Sequence, residues 1–233
     1  MTEWPLVDVP AGTTILKIPG ESYEGTVISR PNRFLVYVSC WNQTVMCHLH
    51  DPGRLKELIY PGNRVLFRDS TGVRTKYSIT AAFHQGQWIL TDTRFHNSIA
   101  SKFLNPECKN EVKYGNHRID FKCGDIFVEV KGGTLFEEGY ATFPDAPTKR
   151  GSEHLRILLE LKAMSGRSLL IVLFFNPEPS LFRPNSKTDP EFSKLFYQCV
   201  ENGVMIKVFK FGLHGNEVVY RGEMGISPDD GTP

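Results

Sequence analysis

The sequence predicts two parts, an N-terminal all-β barrel and a C-terminal α/β region built on a mixed sheet. Short runs of alternating apolar residues, separated by turn residues, extend to about residue 93 and are typical of a small barrel or sandwich. Beyond them, strand patterns alternate with helical patterns, which favours a mixed sheet covered by helices. We place the boundary after residue 85, so the predicted domains are 1–85 and 86–233.

The N-terminal part contains seven predicted strands and one short helical turn at 52–59. Turn residues such as Pro61-Gly62 and the segment 70–72 separate the strands. A five-stranded barrel with one short helix would be an OB-fold, which is a frequent platform for nucleic acids. The predicted strands are 13–17, 26–28, 33–39, 44–50, 64–68, 76–83 and 88–93.

The C-terminal part begins with a predicted helix at 97–104. Ser152 is the predicted N-cap of a second helix that ends at Gly166. Asp189 and Pro190 begin a third helix, which Gly203 ends. The predicted strands are 111–114, 118–122, 125–132, 169–175, 204–211 and 217–220.

Composition excludes few classes of function. The chain is 40% hydrophobic and 23% charged, as in an ordinary soluble globular protein, and its formal charge of +1 indicates no partner. Residues 51–94 carry a local excess of basic side chains, with seven Lys and Arg against four acids. This excess is compatible with a phosphate-facing surface, although on charge alone a solvated sheet face explains it better.

The cysteines and the apolar runs predict a cytoplasmic protein with no membrane span. The five cysteines are odd in number and form no CxxC pair, which favours reduced thiols. The start of the chain does not resemble a signal peptide, and the longest apolar run, 169–175, is too short to cross a bilayer. A small cluster at 40–50 matches no familiar zinc spacing, and we favour the polar face of a strand over a zinc site there. Its members are Cys40, Cys47, His48 and His50.

Two charged residues lie in a strand that otherwise has the pattern of a central, buried one. The segment 126–131 reads Ile-Phe-Val-Glu-Val-Lys, and Asp120 lies in the apolar segment before it. Burying a carboxylate costs several kcal/mol unless a metal or an opposite charge compensates it. Side chains at positions i and i+2 share one face of a strand, so Glu129 and Lys131 point into the same space. Asp120, Glu129 and Lys131 are therefore the predicted catalytic residues of a site for phosphodiester cleavage.

The same residues suggest a divalent cation. Mg²⁺ is bound by oxygens in near-octahedral geometry and usually keeps several waters. Asp120 and Glu129 supply carboxylate oxygens, the carbonyl of Val130 can add another, and Glu111 is an auxiliary ligand. Mg²⁺ and Mn²⁺ accept the same ligands, so either is compatible. Lys131 is expected to orient the attacking water or to neutralise charge developing on the phosphate.

Two simpler interpretations stay open. Glu129 and Lys131 can form a structural ion pair, because a short Glu-x-Lys occurs in many strands. The polar segment 143–154 can be a loop before a capped helix, although its helix N-terminus could also bind an anion. In that segment Arg150 and His154 are the predicted phosphate contacts, and Arg33 and Arg54 are the predicted contacts in the barrel.

The chain resembles the family of sugar fermentation stimulation protein A, SfsA, from about residue 33 to residue 209. The resemblance implies an N-terminal OB-fold, a C-terminal PD-(D/E)xK domain like that of restriction endonucleases, and DNA binding with little sequence preference. In that pattern Asp120, Glu129 and Lys131 occupy the metal and catalytic positions. Three departures are Lys102 for a glutamate, Glu153 for a lysine and Gly132-Gly133 for Ser-Val. The resemblance rests on Arg33-Phe34-Leu35-Val36, Pro52-Gly53-Arg54-Leu55, Pro61-Gly62, Glu111-Val112-Lys113-Tyr114-Gly115, Arg118-Ile119-Asp120-Phe121, Glu129-Val130-Lys131, Phe143-Pro144-Asp145-Ala146, Thr148, Arg150-Gly151 and His154-Leu155.

Three functions follow from these observations. The first is a metal-dependent nuclease, the second is a DNA-binding regulator of sugar metabolism that uses a nuclease-like scaffold without cutting, and the third is a protein-interaction module with a structural acidic cluster. The retention of Asp120, Glu129 and Lys131 together favours the first. The sequence does not indicate the oligomeric state.

Overall fold

A computed structural model describes residues 4–70 and 75–229. The predicted turn at 70–72 lies mostly outside the described residues, as do Arg74 and the first three residues of the chain. No helix within the described ranges is both long enough and apolar enough to cross a membrane. The first seven strands are β1 (Thr14–Lys17), β2 (Tyr23–Asn32), β3 (Leu35–Cys40), β4 (Gln43–His48), β5 (Arg64–Asp69), β6 (Tyr77–His84) and β7 (Gln87–Leu90).

Five of these strands close into a barrel, as the alternating pattern predicts. They are hydrogen-bonded in the order β4-β3-β2-β5-β6, and a parallel pairing of β4 with β6 closes the ring. Strand β2 is much longer than the predicted 26–28, because it bends through two register shifts and pairs with both β3 and β5. Closure removes the free sheet edges, so the barrel leaves no edge strand to be covered.

The loop between β4 and β5 contains the predicted helical turn. The N–H groups of Leu58 and Ile59 both donate to the carbonyl of Leu55, at 3.1 and 2.8 Å. Leu55 adopts a positive φ of 43° and is buried. The turn anchors a loop that lies against the second part of the molecule.

The helices and strands of the second part follow the predicted order, with four short strands added. The helices are α1 (His96–Ala100), α2 (Lys149–Ser165) and α3 (Pro190–Glu201). The strands are β8 (Lys109–Tyr114), β9 (His117–Cys123), β10 (Ile126–Gly133), β11 (Leu135–Glu137), β12 (Tyr140–Phe143), β13 (Ser168–Phe174), β14 (Leu181–Pro184), β15 (Met205–His214), β16 (Glu217–Glu223) and β17 (Gly225–Ile226).

The main sheet of the second part is mixed, as predicted. Strands β10, β13 and β15 are parallel, and β9, β8 and β16 extend the sheet by antiparallel pairing. Strand β13 is buried along its whole length, as its unbroken apolar run predicts. The four unpredicted strands form a separate small sheet in the order β11-β12-β14-β17, and they are too short to show a pattern of their own.

The two parts share one core and one continuous sheet. Strand β7 joins them, because it pairs with β6 of the barrel and meets β15 at Trp88 and Leu213. Strand β1 lies within the predicted segment 1–85, yet it pairs with β16 of the second part. The predicted boundary after residue 85 stays a prediction.

The ends of α2 and α3 agree with the sequence patterns except at one N-cap, whereas α1 ends at Ala100 and a 3-10 turn, Ser101–Phe103, covers most of the rest of the predicted helix 97–104. Asp189 caps α3 through its side chain, which accepts from the N–H of Phe192, and Gly166 ends α2 in the left-handed conformation. The prediction of Ser152 as the N-cap of α2 is wrong. Thr148 is the cap, because its hydroxyl accepts from the N–H of Gly151 at 3.0 Å, and the helix begins three residues before Ser152.

The prediction of five reduced thiols is wrong for two cysteines, since Cys108 and Cys123 form a disulfide. The register that pairs Lys109 with Lys122 places Cys108 directly across from Cys123. An odd count and the absence of CxxC carry no information about such cross-strand pairs. The remaining thiols, Cys40, Cys47 and Cys199, are free.

Candidate functional site

A cleft of about 1140 Å³ lies between the barrel and the C-terminal part. One wall comes from β2 and the loop after β4, and the other comes from β9, β10, β12 and the start of α2. All the predicted site residues except His154 line this cleft. They are Arg33, Arg54, Glu111, Asp120, Glu129, Lys131 and Arg150.

Asp120 lies where strands β9 and β10 separate. The last pairing between them joins Phe121 to Val128, so beyond it β10 has no partner on the side of β9, although its other side pairs with β13. The Asp120 carboxylate takes the place of that partner, and its Oδ2 accepts from the N–H of Val130 at 2.8 Å. Its Oδ1 accepts from Nδ2 of Asn97 in α1 at 3.0 Å. The backbone of one strand and the side chain of a helix therefore orient this carboxylate.

Glu129 is 2% exposed and is held from two sides through one oxygen. Its Oε1 accepts from Nζ of Lys131 at 2.6 Å, which confirms that the two side chains share a face. The same oxygen is hydrogen-bonded to Nδ1 of His154 in α2. The second oxygen, Oε2, is buried and has no hydrogen-bond partner. A buried carboxylate oxygen without a partner is costly, so this atom marks a place where a ligand is expected.

The two carboxylates differ in their ionisation. Burial raises the pKa of Asp120 above its ordinary value, and the nearby negative charge of Glu129 raises it further. Burial acts on the pKa of Glu129 in the same direction, but the hydrogen bond to His154 and the charge of Lys131 outweigh it, so that this pKa is lowered. Environments that separate the pKa values of neighbouring acids are typical of functional sites.

His154 lies beneath the site and not on its surface. It is 2% exposed, whereas the predicted phosphate contact would require access to the cleft. Its Nδ1 contacts Glu129 and its Nε2 lies 3.4 Å from Nε of Arg150, and the tautomer with the proton on Nδ1 satisfies both contacts. His154 therefore holds Glu129 in place, while Arg150 is exposed at the cleft.

Glu111 is near the site but is not gathered into it. The register of β8 and β9 places it across from Asp120, and it adopts a positive φ of 49°. Its side chain is exposed and bridges to Arg118 at 3.1 Å. Over residues 4–70 and 75–229, no three His, Cys, Asp or Glu side chains converge as a set that could hold a metal ion. Of the three predicted acidic ligands, Asp120 and Glu129 are close enough for the charge of one to raise the pKa of the other.

The barrel wall of the cleft is basic. Lys56 and Arg94 line it beside the predicted Arg33 and Arg54. Two other described basic residues of 51–94 have structural partners, since Arg64 pairs with Glu24 and Arg68 is buried against Asp92, which also binds Arg94. Part of the local basic excess thus faces the cleft, and part of it serves the barrel structure.

His96 is a cleft residue that the sequence did not indicate. Its ring stacks on Phe175 with centroids 5.1 Å apart, and it lies against the backbone of Gly132. A Cβ at position 132 would lie 2.0 Å from Cε1 of His96, so glycine at this position makes room for the imidazole. Burial lowers the pKa of His96 to about 4, which leaves the ring neutral at pH 7. The departure Gly132-Gly133 from the family pattern is the sequence signal for open space beside this strand. It does not indicate which side chain fills that space.

The other two departures from the family pattern and the cluster at 40–50 lie outside the cleft lining. Lys102 and Glu153 are exposed and do not line the cleft. In the cluster, the Cys47 thiol is buried in the core, and the rings of His48 and His50 meet edge to face at 4.3 Å. The side chain of Cys40 contacts the carbonyl of Glu24 at 3.1 Å.

Two family models match the chain. Residues 28–91 match the SfsA N-terminal OB domain, which agrees with the closed five-stranded barrel, and residues 89–217 match the sugar fermentation stimulation protein RE domain. The predicted N-terminal OB-fold is confirmed.

Whole-chain relatives agree with these matches. A sugar fermentation stimulation protein homolog of Saccharolobus solfataricus is 46% identical over 94% of this chain and 91% of its own length. A homolog of Thermoplasma volcanium is 49% identical over 85% of this chain and 92% of its own length. The solved structure of Pyrococcus furiosus SfsA in complex with Ca²⁺ has a TM-score of 0.83 and 26% identity, and the match covers 93% of this chain and 100% of that one. The chain belongs to the sugar fermentation stimulation protein, or SfsA, family.

Proposed function

We propose that this protein is a divalent-cation-dependent nuclease that binds nucleic acid, with DNA as the expected substrate, in the cleft and hydrolyses phosphodiester bonds at Asp120, Glu129 and Lys131. The observation that carries the proposal is the buried, unpartnered Oε2 of Glu129 in a cleft that also holds Asp120 and Lys131. A structural ion pair accounts for Oε1 of Glu129, but it leaves Oε2 without a partner. The resemblance of Asp120, Glu129 and Lys131 to the PD-(D/E)xK pattern supports the proposal.

The residues present fit a hard divalent cation. Mg²⁺ is commonly bound by one or two carboxylates together with waters and substrate phosphates, so a set of three protein ligands is not required. Asp120 and Glu129 would hold the cation, with the exposed Glu111 as an auxiliary ligand. The Ca²⁺ in the complex of the Pyrococcus furiosus relative supports a divalent ion in this family. Mg²⁺ or Mn²⁺ would lower the pKa of a bound water and polarise the phosphate.

The protein side chains carry the rest of the chemistry. In the hydrolysis a water oxygen bonds to phosphorus, the bond from phosphorus to the leaving oxygen breaks, and the leaving oxygen gains a proton. Lys131 carries a positive charge at the place where the phosphate gains negative charge, and Glu129 orients its ammonium group at 2.6 Å. Arg33, Arg54 and Arg150 offer contacts to flanking phosphates, which do not depend on base sequence. Little sequence preference is expected for this reason.

A nucleic-acid-binding regulator that does not cut is the second candidate. It is favoured by the engagement of Lys131 with Glu129, which occupies the ammonium group that the nuclease would direct at the phosphate. In this case the basic cleft binds the polynucleotide and the carboxylates tune the binding. The two functions make different predictions for chelation and for removal of Lys131.

The test is a cleavage assay on labelled single- and double-stranded DNA and RNA with Mg²⁺, Mn²⁺ or a chelator. The wild type is compared with Asp120→Ala and Lys131→Ala, and with Lys102→Ala as a matched control outside the cleft. Cation-dependent products that disappear in the first two variants and persist in the control support the nuclease. Binding without products under every condition contradicts it and supports the regulator.

A further inference from the structure

The cleft is bridged between its two walls. The N–H of Leu55, in the loop after β4, donates to Oδ2 of Asp145, in the loop after β12, at 3.1 Å. Both loops line the same cleft as Asp120 and Glu129. A polynucleotide that reaches these carboxylates must therefore fit beside a contact that joins the barrel to the C-terminal part.

The bridging loop is held firmly. The guanidinium of Arg30 donates to the carbonyls of Gly53 at 2.8 Å and Arg33 at 2.9 Å, and also to that of Arg54. The approach of the two loops is close as well, since a Cβ at Gly53 would lie 2.7 Å from Oδ2 of Asp145. The loop cannot swing away without breaking several of these hydrogen bonds.

A bridged cleft suits one strand better than two. A duplex presents each scissile phosphate on a convex surface, with the second strand behind it, so it needs an open face around the carboxylates. An unpaired strand can lie along the cleft, with its phosphates against the basic wall formed by Arg33, Arg54 and Lys56. Charge complementarity alone does not distinguish the two forms, because both carry phosphates.

The apolar lining of the cleft distinguishes them. Leu135, Phe143 and His96 all line it and are partly exposed. The ring of His96 stacks on Phe175 and lies against Gly132, so its partly exposed remainder offers a neutral surface at pH 7, and not a charge, to a ligand. Stacking of a base on an aromatic ring such as that of Phe143 strengthens the binding of an unpaired strand. Bases inside a duplex are already stacked and paired, so only an unpaired base can reach this lining.

We propose that the cleft takes an unpaired polynucleotide strand, with a base packed against Leu135, Phe143 and His96 while the adjacent phosphate lies at Asp120, Glu129 and Lys131. This inference rests on the proposed function for the site, and it adds the form of the substrate. DNA and RNA share the recognised chemistry of phosphates and unpaired bases, and the experiment separates them.

The experiment measures binding by fluorescence anisotropy, with labelled single-stranded DNA, single-stranded RNA and a blunt DNA duplex of the same sequence, in Ca²⁺ and in chelator. The full chain is compared with Phe143→Ala and Leu135→Ala, and with Tyr60→Ala as an exposed aromatic control outside the cleft lining. Thermal unfolding of each variant verifies that it is folded. Cleavage of the same oligonucleotides in Mg²⁺ is measured in parallel.

At least one single strand is expected to bind at least about tenfold more tightly than the duplex, and Phe143→Ala and Leu135→Ala are expected to lose much of that difference. The RNA arm shows whether the preference extends to both chemistries or is confined to one. The inference is overturned if the duplex binds as tightly as the single strands, or if both variants leave the difference unchanged. It is overturned equally if internal duplex sites are cut as fast as unpaired ones, an outcome in which the nuclease itself survives. Tight single-strand binding with no products would support the inference while contradicting the nuclease.

Discussion

Asp92 and Glu129 are both buried carboxylates next to cationic side chains. They differ in whether both of their oxygens accept hydrogen bonds. Asp92 is fully buried at the end of the barrel part, and its Oδ2 accepts from Arg68 and Arg94, each at 2.7 Å. Its Oδ1 accepts from Nε and the backbone N–H of Arg94. Glu129 directs both of its partners, Lys131 and His154, to one oxygen and leaves the other without a partner.

The difference separates a structural ion cluster from a candidate site. A carboxylate whose lone pairs are all matched has no capacity left for a ligand, and its value lies in holding Arg68 and Arg94 where they are. A carboxylate with a buried free oxygen carries an energetic cost that bound ligand can relieve. Burial and nearby cations are common to both residues, so these two properties alone would not have told them apart.

The largest expected effect is on stability at Asp92. Asp92→Asn leaves Arg68 buried with its charge uncompensated, and we expect a loss of about 3–5 kcal/mol in the free energy of unfolding. Urea unfolding measures it. The matched control is Glu24→Gln, because the pair of Glu24 and Arg64 is about half exposed and should contribute no more than about 1 kcal/mol. Equal losses in the two variants would mean that the buried ion pair of Asp92 contributes no more to stability than the exposed pair of Glu24 and Arg64.

The next effect is on activity at His154. His154→Ala leaves Glu129 without one of its two partners, and under the proposed function we expect catalytic activity to fall about 10–100-fold, the loss seen for residues that orient metal ligands. His154→Asn keeps a donor and should recover part of the loss. The affinity for Ca²⁺ should weaken in parallel, which a purely structural role would not require. An unchanged Ca²⁺ affinity in a folded His154→Ala protein would show that Glu129 does not depend on the histidine.

A smaller effect, the stabilisation of the folded protein by a bound cation, distinguishes Glu129 from Asp92. A ligand that binds only the folded state at ten times its Kd raises the free energy of unfolding by about 1.4 kcal/mol. Ca²⁺ should stabilise the wild type and Asp92→Asn by similar amounts, and it should not stabilise Glu129→Gln. Thermal unfolding with and without Ca²⁺ measures the three differences. Stabilisation that persists in Glu129→Gln would place the cation elsewhere.

The comparison also shows what the sequence could predict. The alternation of apolar residues fixes the faces of β9 and β10, so the proximity of Asp120, Glu129 and Lys131 follows from the strand period and a short hairpin. Asn97 and His154 contact these carboxylates from helices that are 23 and 25 residues away in the chain, and no local pattern encodes such contacts. Whether a buried carboxylate is fully paired depends on these distant partners.

The bridging contact and the disulfide are missed for the same reason. Asp145 meets Leu55 across 90 residues, and Cys108 meets Cys123 through the register of a hairpin whose exact pairing the sequence does not specify. The short strands β11 and β17 owe their existence to partners in the small sheet and not to their own residues. Local propensity thus predicts the helices and strands, while tertiary contacts decide whether the site has a carboxylate oxygen left to bind a ligand.

The smallest expected effect is a difference in the sign of pH dependence. The two arginines outweigh burial and hold the pKa of Asp92 below its usual value, so its contribution to stability is complete above the ordinary aspartate pKa of about 3.9 and is lost only as the pH falls through the lowered one. Burial and Glu129 raise the pKa of Asp120, so the folded state favours its protonated form. Ionising Asp120 therefore costs stability as the pH rises from the ordinary aspartate pKa to the raised one. Relative to the wild type, Asp120→Asn should therefore gain stability as the pH rises from about 4, while Asp92→Asn should remain less stable than the wild type throughout the range from pH 4 to pH 8. Urea unfolding across this range measures both, and an Asp120→Asn profile that does not rise relative to the wild type would mean that the pKa of Asp120 is not raised in the folded state.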